Sequence, residues 1–185
     1  MITVCMIISS VGHTVPPVFI FPRARPHDLL MFGAPPGSLG LVYSAQSSWI
    51  TEPLFLEVPE HVMKHTRSSK EDRIILPMDS HTVTALLIPI SIATESSITL
   101  VTFPLHCSHQ LQPLDVGVMG AFKGKLWVAH DGMTANTGKV ITVHDLTSLT
   151  NAAYHASVTV KNITAVFAKS GIWPFSRLAF SDGDF

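Results

Sequence analysis

The chain has 185 residues, 46% of them hydrophobic and 14% charged, with a formal net charge of −1. That length is one domain with a sizeable core, and so much apolar content with so few charges excludes a disordered chain. The balance of charge excludes a global pull toward nucleic acid, so any such binding depends on a local patch.

Cys5 and Cys107 are too few for a scaffold of bridges, and reduced, buried thiols in an intracellular protein are expected. The ten histidines make the charge sensitive to pH near neutrality without implying a metal site. The opening MITVCMIISSVG is apolar but has no basic leader or cleavage site, so it is not read as a signal peptide. No run has the length and apolarity of a transmembrane span, and a soluble protein is expected.

In chain order, Thr3 to Ser9 is β-branched and apolar and ends in the turn signal Ser10-Val11-Gly12. Val15 to Phe21 is a second such run, so residues 3–21 are predicted to form a hairpin. Pro16 and Pro17 suit the entry to its second strand, where a missing N–H does least harm. Pro22 to Gly40 reads as a structural loop; its glycines lack the Gly-Lys-Ser/Thr ending of a phosphate cradle. Leu54, Val58 and Val62 predict a helix over Trp49 to Thr66, kinked or broken at Pro59, since an interior proline costs about 3 kcal/mol. Arg73 to Met78 is a compact strand ending at Asp79. Val83, Leu86, Leu87 and Ile90 show helical spacing, although Pro89 interrupts them.

A strand at Thr99 to Phe103 leads through a polar loop into a helix from Asp115 to about His130. Asp131 to Gly138 reads as a loop. Helices follow over Val143 to Tyr154 and Val160 to Lys169, with Gly171 as the stop of the second. The aromatics of the tail GIWPFSRLAF are predicted to dock on the body rather than stack on bases, a use that normally comes with a charged groove. Three regions result: the hairpin at 3–21, a core at 49–130, and C-terminal helices and tail at 143–185. Alternation of strands and helices predicts an α/β domain with a mixed sheet, whose sites gather outside the strand ends. Asp79 and Asp115 are then candidates to share one rim. Asp115 has an ordinary alternative as the capping residue of its helix.

The string LPMDSH resembles the Asp-Asn-His element of pogo/Tigger/Jerky-type transposases, which are DDE superfamily endonucleases of ribonuclease-H-like fold. PLHCSHQLQPLDVGVMGAFKGK resembles their Ser-His-x-Leu-Gln-Pro-Leu-Asp-Val element, and AVFAKSGIWPFSRLAF their Gly-Ile-x-Pro-Phe ending. PPVFIFP and PPGSLGLVYSAQSSWIT match the family's early strand and connecting loop, so the resemblance spans nearly the whole chain. It implies two-metal phosphoryl chemistry, in which three carboxylates hold two Mg²⁺ ions roughly 3.5–4 Å apart. Mg²⁺ prefers hard oxygen ligands. By motif, Asp79 is the second carboxylate and Asp115 the third. DNA is the implied partner, bound weakly and without sequence preference, with a homo-oligomer as a further possibility and the nucleus as the implied location.

The chain departs from the pattern in three places. The family's first carboxylate lies on a central strand ahead of the hairpin; here the earliest acidic residue is Asp28, which no motif places in that role. Two ions would then be under-neutralised, and the sheet's neighbouring strands would keep unpaired edges. The second element carries Ser80 and Thr84 where the family has Asn and a second His, with His81 retained. From Thr82 to about Thr94 the family character is lost at preserved length, the pattern of two compensating frameshifts. A helix-turn-helix module, the part that would read sequence, is absent too. His106, Cys107 and His109 form part of a structural loop in the family rather than a zinc site, which needs four well-spaced ligands. Lys123 and Lys125 can meet phosphate, although exposed helical lysines are usually only solvated. Catalysis is therefore expected to be lost. A residual Mg²⁺-dependent endonuclease completed by a partner or by upstream sequence, and a decayed fragment without function, are the alternatives.

Overall fold

The computed structural model describes residues 2–22, 28–42, 52–79 and 98–181. The predicted hairpin is present: β1 (Thr3–Ile8) pairs antiparallel with β2 (Thr14–Phe21). Its turn is closed by Ser9 N donating to the His13 carbonyl and Gly12 N to the Ser9 carbonyl, both at 2.8 Å. Glycine is required at position 12. Its φ is +90°, and a Cβ there would lie 2.6 Å from Val160 Cγ1. A bulge between Cys5 and Ile7 shifts the register within β1.

A third strand, β3 (Leu39–Val42), runs parallel to β2 with Val18 opposite Leu39. This strand and a 3₁₀ turn at Asp28–Met31 replace part of the loop predicted for residues 22–40. β3 has only four residues and one is Gly40, so it gives no alternation to read; Gly40 is there because Met31 lies across it, with Sδ 2.7 Å from where a Cβ would be. β2 is thus the central strand. Val18, Phe19 and Ile20 are fully buried and Phe21 nearly so, as suits a run apolar on both faces.

β4 (Ile74–Met78) and β5 (Ile98–Thr102) pair in parallel, Ile74 opposite Ile98 and Met78 opposite Thr102. The helical spacing at Val83 to Ile90 lies outside the described residues. Among the described residues the strands form two sheets, β1-β2-β3 and β4-β5, with no hydrogen-bonded ladder between them. Side chains bridge them instead: Ile7 of β1 packs with Ile74 and Leu76 of β4 around Val62 and Ile98. Two sheets flanked by helices are a mixed α/β arrangement compatible with a ribonuclease-H-like fold.

Helix α1 (Glu52–Thr66) runs through Pro59 as one element, so of the kink or break expected there the break does not occur. Proline removes one hydrogen bond, but Pro59, Val58 and Val62 are all buried, and His61 Nε2 bonds the Pro16 carbonyl at 2.8 Å. Those contacts fasten the helix to β2. After β5 come a single turn α2 (Ser108–Leu111), a π-helical turn (Leu114–Val118), and then α3 (Met119–Thr137), α4 (Leu146–Ser157) and α5 (Val160–Lys169).

α3 absorbs most of the loop predicted at Asp131 to Gly138. Thr134 and Thr137 donate their hydroxyls to the carbonyls four residues earlier, and the left-handed residue that ends the helix is Gly138, at φ 63°. α4 starts three residues later than expected, because Thr142 N and Oγ1 bind the Asp145 carboxylate in a turn just ahead of it. α5 matches its prediction, capped by Thr159, and Gly171 follows it in the left-handed region. The tail does not dock as predicted. Trp173, Phe175 and Leu178 are exposed; the tail folds on itself, with Ser176 N bonded to the Gly171 carbonyl and Ala179 against Gly171.

Candidate functional site

Asp79 follows β4 directly, at the carboxyl end of the parallel pair, where open α/β sheets place their ligands. Phe103 N donates to the Met78 carbonyl at 3.0 Å, which holds the chain straight up to that carboxylate. Past Phe103 the chain turns through Leu105 and His106. His106 sits at φ 65°, a region histidine visits more readily than most residues. The turn delivers Ser108, the first residue of α2, whose Oγ donates to Asp79 Oδ1 at 3.1 Å. Sequence reasoning overlooked Ser108, although it stands in the Ser-His string of the matched motif.

Gln112 then leaves the helical region, at φ −84° and ψ 109°, and its carbonyl accepts from both Asp115 N and Val116 N, at 2.9 and 3.0 Å. A π-helical turn follows. Such wide turns occur often at functional sites. Its inner side is fixed by fully buried Val118, and by Gly117, where a Cβ would come within 2.9 Å of Val166 Cγ1 of α5. Its outer side presents Asp115. The helical segment opens at Leu114, so Asp115 belongs to the first turn and is not its N-cap; the capping alternative fails on position.

The two predicted carboxylates are brought together electrostatically. Partial burial of the Asp115 carboxyl, first, and the negative charge of Asp79, second, raise its pKa above the ordinary carboxylate value, while Lys123 pulls the other way. The residue as a whole is exposed, so solvent screens much of this repulsion. His106 and His109 are exposed in the preceding loop and Cys107 is half-buried. Ser80, His81 and Thr84 lie outside the described residues. Lys123 and Lys125 are exposed on α3, and only Lys123 acts on Asp115.

Two carboxylates that act on one another, one of them held by a hydroxyl, are a donor set that a hard divalent cation would relieve of repulsion. They do not fit a pair of such ions. Two-metal chemistry needs a further carboxylate, and among the described residues no group of three His, Cys, Asp or Glu side chains is placed to hold a metal. No catalytic step through a metal pair can be built on these residues.

Comparison with known proteins bears on the same residues. A 131-residue segment, 70% of the chain, is 28% identical to the MFS-type transporter clz9 of Cochliobolus lunatus, and covers 14% of that protein's length. No helix of the described residues is long and apolar enough to cross a membrane. No solved structure matches the chain. The family model of the DDE superfamily endonucleases matches residues 1–167, a span that includes the hairpin, both aspartates and nearly all of the last helix. The chain belongs to the DDE superfamily endonuclease family.

Proposed function

We propose that this chain is a transposase-derived DDE domain of the pogo/Tigger/Jerky type that associates with DNA in the nucleus and has lost catalysis. The observation that carries this reading is the rim itself. Asp79 and Asp115 act on one another at the ends of the parallel strands, and no third carboxylate joins them among the described residues. As described, the rim lacks the ligand set for two ions.

With a net charge of −1, the DNA contact is local, weak and blind to sequence, and Lys123, whose charge acts on Asp115, is a basic residue available to it. A mobility shift of labelled duplex tests this. The expected result is a shift at low salt that fades as salt rises, with Lys123→Ala weakening it evenly across unrelated sequences. No shift at low salt would count against it.

One observation favours a second reading. Among the described residues β1 and β4 are not joined by a ladder, so the two sheets leave strand edges at which another strand, bringing a carboxylate, can add. Completed in that way, the domain would be a Mg²⁺-dependent endonuclease. Asp79 and Asp115 would supply two of its carboxylates and Ser108 would hold the first of them in place.

A further inference from the structure

Among the described residues, helix α3 is held to the body by one side. Met119, Phe122 and Leu126 pack with Met6, Ala153 and Tyr154. At 3.6 residues per turn, the opposite side carries Gly124, Lys125, Val128, Asp131 and Gly132 within an arc about 120° wide. Val128 is 70% exposed at its centre and Trp127 is 67% exposed on its border, a pair of large apolar side chains that no described element covers. A Cβ at Gly124 or Gly132 would meet nothing within 4 Å, so another backbone can approach there.

The face reads the same in both directions from Val128. A glycine stands four residues before it and four after, and an alanine seven before and seven after (Ala121 and Ala135). Three residues before it is a cation, Lys125, and three after it an anion, Asp131. We propose that this face docks on a second copy of the same chain, as an antiparallel helix pair whose two-fold axis passes by Val128. This goes beyond the DNA reading and does not depend on it, because Lys123 and Asp115 lie outside the arc.

Charge chooses the arrangement. In the antiparallel pair Lys125 faces Asp131 of the partner subunit, and the contact occurs twice, as a two-fold interface requires. A parallel pair in register would set Lys125 against the partner's Lys125 and Asp131 against the partner's Asp131, and like charges repel. Asp131 already has His130 Nδ1 at 3.2 Å, but its side chain is 75% exposed and has an oxygen to spare.

Sedimentation equilibrium over a wide range of concentration tests the proposal. The wild-type mass is expected to rise from 20.1 kDa toward twice that value. Lys125→Asp is expected to weaken the dimer by about tenfold, and the double variant Lys125→Asp, Asp131→Lys to restore it. Restoration in the double variant distinguishes lost charge pairing from lost folding. A mass that stays at 20.1 kDa at every concentration would overturn the proposal, as would a dimer that ignores Lys125→Asp or is not restored by the swap.

Discussion

Single residues here act through what surrounds them. Asp115 alone would be an ordinary exposed carboxylate; set against Asp79, its charged form is disfavoured, and the rim stores repulsion that a cation would relieve. His61 shows the same dependence with the opposite charge. Its side chain is buried against β2, and desolvation, chiefly, with the neighbouring His65 and Lys64, lowers its pKa below 6.5, while the bond to the Pro16 carbonyl works against that shift. A histidine with a lowered folded pKa binds fewer protons folded than unfolded. Its contribution to stability is therefore complete above 6.5 and is lost as pH falls from there toward the folded value. Urea unfolding should show stability dropping as pH falls below 6.5, with His61→Gln flattening that drop.

At the scale of elements, the segment from β5 to α3 builds the rim: a parallel strand, one turn of helix to bring Ser108 to Asp79, a wide π turn to present Asp115, and a long helix behind it. The long helix depends on how it stops. Gly138 takes the left-handed conformation and its amide bonds the Thr134 carbonyl, so Gly138→Ala should cost about 1 kcal/mol in chemical denaturation.

Much of this was legible in the sequence and the rest was not, for physical reasons. Both hairpin strands, β4, β5 and α5 were readable because β-branched runs and helical spacing are local signals. β3 was not, because four residues with a central glycine pair only through tertiary contact. The end of α3 was missed because Gly132 and the polar residues after it look like a loop, yet back-bonding threonines keep that turn helical. The tail was misjudged because apolar composition does not say whether a covering surface exists. Asp79 and Asp115 were legible as one rim from their places after two strands, and as metal ligands only through motif strings; Ser108 needed the turn at His106 to reveal its partner.

Across the whole molecule, the account joins two facts. The chain is matched over residues 1–167 to the DDE superfamily endonucleases, and the described strands form two sheets, with the charge of Asp79 acting on Asp115. Among the described residues no third carboxylate stands with Asp79 and Asp115 to hold a metal. Nucleic-acid association can outlive catalysis in such a domain, because phosphate contacts need only local positive charge whereas two-metal hydrolysis needs every ligand.

One agarose gel reads both halves of that claim. Supercoiled plasmid is incubated with the protein and Mn²⁺ at low salt, then run before and after the protein is removed. The account predicts retarded plasmid that is still fully supercoiled once stripped of protein. Relaxed circles whose formation is abolished by Asp115→Asn, or plasmid that is never retarded, would contradict it.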